Sequence, residues 1–186
     1  MKSETRISTD LRVEQRAGQQ GRRIVGYAAL FNNETTIAGA FREKIEPGAF
    51  RNALAEDDVL ALVNHNPERL LGRLKSGTLK LEEDAIGLRF EIDPPDTTEG
   101  RDLMHMMERG DVSGASFGFM VRKGGDSWDY RSKPPSRTVS DVKLLDVSVV
   151  TQPAYPDTSA ALRSLEQNRI EAIREKMRAS IEARSK

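Results

Sequence analysis

The chain has 186 residues and a mass of 20.7 kDa, which one domain with a tail accounts for. Its 29 Lys and Arg balance 29 Asp and Glu, which argues against a protein whose main task is neutralising phosphates. The absence of cysteine excludes disulfides, a thiol nucleophile, thiolate zinc sites and iron–sulfur clusters, and two histidines, His65 and His105, make a histidine-rich metal site unexpected.

No apolar stretch follows Met1 to Arg6, so no signal peptide is expected, and no run approaches the roughly 18 apolar residues of a membrane span. The expectation is a soluble cytoplasmic protein with no membrane partner and no cofactor. Arg6 to Val13 roughly alternates and reads as a strand, Gly18 to Gly21 as a turn, and Arg23 to Phe31 as an apolar partner strand, together a first hairpin. Phe50 and Leu54 at i,i+4 predict a short helix ending near Glu56. Val59 to Val63 is a compact run sufficient for one buried strand. Thr78 to Glu82 and Gly87 to Ile92 alternate on either side of an acidic turn and predict a second hairpin.

Asp96-Thr-Thr-Glu99 has the spacing of a capping box, with Thr97 or Thr98 as rival caps. It opens a helix through Leu103, Met104 and Met107 that stops at Gly110. Ser116 to Val121 alternates again, with Phe117, Phe119 and Val121 on one face. Gly124 to Ser136 is polar and reads as a mobile loop around Trp128 and Tyr130. Val142 to Thr151 is the strongest strand signal, with Val142, Leu144, Asp146, Ser148 and Val150 on one face and Lys143, Leu145, Val147, Val149 and Thr151 on the other. Beyond Pro153 and Pro156, Leu162, Leu165, Ile170, Ile173, Met177 and Ile181 recur at helical spacing with no Gly or Pro from Ser159 onward. These patterns predict an α+β, mainly β fold: a domain over residues 1–158 and a long amphipathic helical tail over 159–186.

Three places could carry chemistry. His65 sits where an apolar strand gives way to a polar loop; it is either a surface histidine or a general base, the side chain best poised at neutral pH. His105, on the predicted helix, reads as structural. Gly110-Asp-Val-Ser-Gly-Ala-Ser-Phe-Gly-Phe119 sets two serines in a glycine-punctuated turn, where amides can approach a developing oxyanion. Such turns are common in structural roles; as a nucleophile Ser116 is the better candidate and Ser113 the reserve. Asp146 lies inside an apolar strand, so it is either on a solvated edge or buried and paired with a histidine. Asp141 competes with it.

These segments, in this order, resemble the prohead maturation protease family of tailed bacteriophages, whose fold is related to that of the herpesvirus assembly proteases. The resemblance runs from Gly26-Tyr-Ala-Ala-Leu-Phe-Asn32 to Pro153-Ala-Tyr-Pro156. It passes through Glu46-Pro-Gly-Ala-Phe50, Asn64-His-Asn66, Leu70-Leu-Gly-Arg73, Gly87-Leu-Arg-Phe90, Ser116-Phe-Gly-Phe119 and Asp146-Val-Ser-Val-Val-Thr151. It implies a herpesvirus-protease-like β-barrel flanked by helices, and a serine endopeptidase with His65 as base, Ser116 as nucleophile and Asp146 as acid. Backbone amides near Phe117 and Gly118 are the oxyanion-hole candidates, and Arg73 is expected to be structural. The implied substrate is the scaffold or capsid protein, and the chain itself, inside a procapsid in the host cytoplasm. The C-terminal helix would dock to scaffold, join a second copy, or cover the barrel edge. The alternatives are an inactive internal scaffold of the same fold and, from Arg22-Arg23 and Trp128, a nucleic-acid binder, which zero net charge disfavours.

Overall fold

A computed structural model describes residues 3–8, 11–15, 22–151 and 158–184. The turn expected at Gly18 to Gly21 and the Pro153-Ala-Tyr-Pro156 stretch lie outside them. The chain begins with strands β1 (Glu4–Ser8), β2 (Leu11–Gln15), β3 (Arg22–Leu30), β4 (Thr35–Ile37) and β5 (Phe41–Ile45), followed by helix α1 (Arg51–Glu56). Four more strands follow, β6 (Leu60–Val63), β7 (Asn66–Arg73), β8 (Leu79–Glu83) and β9 (Gly87–Ile92), and then α2 (Thr98–Glu108). The last elements are β10 (Gly114–Val121), β11 (Asp126–Asp129), β12 (Ser136–Val139), β13 (Val142–Val150) and α3 (Thr158–Arg184).

The strands form three open sheets, ordered β1-β10-β13-β6-β7, β11-β12-β5-β4 and β2-β3-β9-β8. The fold is mainly β with few helices, as expected, but none of these sheets closes on itself, so the expected barrel is not found among the described residues. A second difference from the expected strands lies at the N-terminus. The single strand expected over Arg6 to Val13 is two strands: β1 joins the five-stranded sheet beside β10, and β2 turns away to pair with β3. Alternation runs through both halves, so the pattern alone could not show the break.

The two expected hairpins form, β2 with β3 and β8 with β9. Helix α2 is capped by Thr97, whose hydroxyl accepts from the Gly100 amide at 3.2 Å, and ends where Gly110 takes a φ of 82°. The segment expected as a mobile loop contains β11, which pairs with β12, while β12 lies parallel to β5. Side chains order it: Arg137 bonds Asp126 at 2.8 Å, and Trp128 stacks on Tyr130 and packs on Phe41.

The main core joins β3 and β9 to the inner face of the five-stranded sheet, with Phe50 at the head of α1, Ala53 in α1 and Leu103 in α2 added to it. Phe117 is its hub, 5.6 Å from Phe50 edge-on and 5.0 Å from Phe119, and each buried ring contributes about 2–3 kcal/mol. β13 is the central strand of its sheet, which sets aside the solvated-edge reading of Asp146. Its two faces are not those that strict alternation predicts. Gly118 pairs with Asp146 but Phe119 pairs with Leu144, so Leu145 is an extra residue in a β-bulge. The bulge swaps parity: Val142 and Leu144 face the core before it, Val147 and Val149 after it. Asp146 and Ser148 therefore share the opposite face with their partners Gly118 and Ser116.

A separate small cluster, Ile37 and Phe41 with Trp128, receives Leu165 from α3. Further along that helix Ile170, Ile173 and Met177 are exposed. A buried charge network ties β1 to the same region. Arg6 bonds Glu43 and Glu4, and Arg137 bonds Glu4, Glu43 and Asp126, all between 2.5 and 3.1 Å.

Candidate active site

Three adjacent strands supply the site. β10 carries Ser116, β13 carries Asp146, and β6 leads into His65. Asn64 and His65 are the two central residues of the β6–β7 turn, between the paired Val63 and Asn66, with φ of 53° and 55°. A tight hairpin turn with both central residues left-handed normally carries Asn-Gly. Here the glycine position holds a histidine, at a cost of about 1–2 kcal/mol. The turn is tied to β13 by Asn64 N–H to the Val149 carbonyl at 2.9 Å, His65 N–H to Ser148 Oγ at 3.2 Å, and Thr151 N–H to Asn64 Oδ1 at 3.1 Å. These bonds fold the imidazole back over the outer face of the sheet.

There His65 Nδ1 lies 2.7 Å from Asp146 Oδ1, and His65 Nε2 lies 2.7 Å from Ser116 Oγ. A carboxylate only accepts, so Nδ1 carries the proton and Nε2 is bare toward the hydroxyl. The His65 side chain is 26% exposed and that of Asp146 13%. Ser116 is only 2% exposed, and its hydroxyl also lies within reach of the Arg6 carbonyl at 2.8 Å. The single Ser116 proton thus has two acceptors, a peptide oxygen on β1 and the imidazole. Among the described residues no group of three or more His, Asp or Glu is arranged to hold a metal, and no helix is long and apolar enough to cross a membrane.

Residues 9–174 match the family described as caudovirus prohead serine protease. The chain belongs to that family. It is also 34% identical over 163 residues to a protein of Enterobacteria phage HK97 named prohead protease, an alignment that covers 85% of this chain and 66% of that one. The chain thus spans just under two thirds of that relative's length. No solved structure matches it.

Within this family member, the structure brings His65, Ser116 and Asp146 together and leaves their rivals outside. Ser113 is exposed ahead of β10, Asp141 accepts from Asn52 at 3.1 Å, and His105 is exposed on α2 beside Glu108. Arg73 bonds Asp58. Arg22 and Arg23 are paired with Glu108 and with Glu14 and Glu91. Phe117 and Gly118 sit where β10 is paired on both sides, with β1 and with β13. Two features escaped the sequence reading. A Cβ at Gly118 would run into Asp146 Oδ2, so a glycine there makes room for the carboxylate. Ser148, fully buried, donates to Asp146 Oδ1 at 2.6 Å. The only sequence signal for either was the run of small and polar residues on two strands that otherwise carry apolar side chains.

Proposed function

We propose that this chain is a phage prohead maturation serine endopeptidase and that His65, Ser116 and Asp146 are its triad. The observation that carries the reading is the continuous line from Asp146 Oδ1 through the imidazole to Ser116 Oγ, with 2.7 Å at each step. His65 Nε2 takes the Ser116 proton as Oγ attacks the scissile carbonyl, and later gives it to the leaving amine. Asp146 orients the ring and stabilises the imidazolium that forms. For the oxyanion, Phe117 and Gly118 are the amides nearest the nucleophile along the chain. Because both face a paired strand, this part of the proposal requires β10 to exchange a ladder bond for the substrate oxygen. A boronic-acid adduct whose oxygen points elsewhere would reassign the donors.

The substrate would be the scaffold or the scaffolding segment of the capsid protein, and the chain itself, inside the procapsid. Confinement there raises effective concentration, so weak contacts suffice. Within the proposal, residues 1–158 are the protease domain and 159–186 a tail that docks on scaffold or on another copy through Ile170, Ile173 and Met177, which are exposed. Kinship of fold to the herpesvirus assembly proteases is part of the same reading, with Asp146 standing where those relatives carry a second histidine.

The test is co-expression with the capsid or scaffold protein, comparing wild type with Ser116→Ala by intact mass. Trimming by wild type and none by Ser116→Ala is the expected result. Intact chains from both, after shells have assembled, would leave the inactive-scaffold reading in its place.

A further inference from the structure

Resting on the triad reading above, we propose that Ser148 is a positioning residue for it. Its one hydroxyl fixes the Asp146 carboxylate and the His65 turn together, and so holds the imidazole in the tautomer that leaves Nε2 bare for Ser116. Ser148 is fully buried, and the bulge at Leu145 puts it directly opposite Ser116 in the ladder. Its Oγ lies 2.6 Å from Asp146 Oδ1, 3.2 Å from the His65 backbone nitrogen and 3.3 Å from His65 Nδ1.

A hydroxyl has one proton and two lone pairs. Asp146 can only accept, so the proton goes to it, and the lone pairs are left to face the His65 backbone N–H and the Nδ1–H. That allocation is satisfied only if Nδ1 is protonated. A bare Nδ1 would set its lone pair against the carboxylate at 2.7 Å and against a Ser148 lone pair at 3.3 Å. The same oxygen also holds the backbone of His65, which at a φ of 55° needs holding. The carboxylate is thereby confined from two sides: Oδ1 by Ser148 and His65, Oδ2 by the space over Gly118. Asp146 supplies charge to the imidazole, and Ser148 supplies its aim.

The experiment measures how fast a fluorophosphonate probe labels Ser116 in the full chain, read by intact mass, with Ser116→Ala as the blank. Ser148→Ala should label about 10- to 100-fold more slowly, the scale of a misplaced catalytic group. Ser148→Thr, which keeps the hydroxyl, should recover most of the rate. Ser148→Cys fills the space but donates weakly, and should behave as Ala does. Recovery by Cys and not by Thr would mean packing and would overturn the assignment, as would labelling of Ser148→Ala at the wild-type rate. If wild type itself is unlabelled, the triad reading fails separately. Amide exchange at His65 then decides for Ser148: protection should fall in Ser148→Ala, and unchanged protection refutes the anchoring.

Discussion

Replacing Gly118 with Ala adds one methyl group to the face of β10 that carries Ser116. The new Cβ would run into Asp146 Oδ2 and come within 3.8 Å of His65 Nδ1. β10 is held by a strand on each side and cannot yield, so the carboxylate must slide or turn by roughly 1 Å. A displacement of that size forfeits on the order of 10² in rate, and complete loss of the acid sets a ceiling near 10⁴. In activation free energy these limits are about 2.7 and 5.4 kcal/mol. The fold itself should scarcely suffer, because Ala in a strand interior is favoured over Gly by about 0.5–1 kcal/mol. The assay is the rate of trimming in the co-expression experiment, followed by intact mass, together with a melting curve. We expect cleavage to fall by 10² to 10⁴ with the melting temperature within a few degrees of wild type. In an Asp146→Ala background the methyl group has room, so adding Gly118→Ala should change the rate little further. Cleavage by Gly118→Ala within about threefold of wild type, or the same factor lost in both backgrounds, would refute the reasoning.

Asp146→Asn keeps size but not charge, and should lose about 10⁴ in turnover with no change in melting; a loss under tenfold would remove Asp146 from the triad. At His65, whose backbone is left-handed, Gly should give a protein about 1 kcal/mol more stable than Ala, although both are inactive; equal urea midpoints would show that the turn is unstrained. Arg137→Ala leaves Glu4, Glu43 and Asp126 facing one another with only Arg6 among them, which should cost about 3–5 kcal/mol and lower the melting temperature by roughly 10 °C. Burial works to raise the Glu4 carboxyl, but bonds to Arg137 and Arg6 outweigh it and hold its pKa below the usual 4.5. Its folded pKa is therefore the lower one, so Glu4 contributes stability above about pH 4.5 that is lost as the pH falls through the folded value. Urea midpoints should decline on that acid side, Glu4→Gln should flatten the decline, and an unchanged slope in that variant would contradict the assignment.

Much of the scaffold was legible because periodicity survives wherever one face is buried. β8 and β9 alternate cleanly, α2 carries its cap and its terminal glycine, and the helical spacing from Leu162 to Ile181 coincides with α3. What was hidden depends on pairing. A bulge has no signature of its own in Val142 to Val150, where apolar side chains occupy both parities, so the true faces of β13 emerge only against β10. β7 reads as a polar loop because its first half, at the sheet edge, is largely exposed. The charge network joins Glu4, Glu43 and Arg137, residues that no local window brings together. The three site residues were nameable because each breaks its surroundings: a histidine at a strand end, a serine between glycines, an aspartate among valines. Ser148 breaks the same strand less sharply, and its contacts to Asp146 and His65 single it out.

The position of β13 has a consequence in time. Of the three strands that hold the site it is made last, yet it is the one that lies between the other two. Before its residues emerge from the ribosome, β6 and β10 have no common neighbour, and His65 and Ser116 have no shared frame. At about 5–20 residues per second, the interval between finishing Ser116 and finishing β13 is on the order of a few seconds. Throughout it the nascent chain holds the proposed base and the proposed nucleophile, which cannot meet. Translation order alone thus delays activity until the whole sheet exists, and a circular permutant that opened with β13 would forgo that delay.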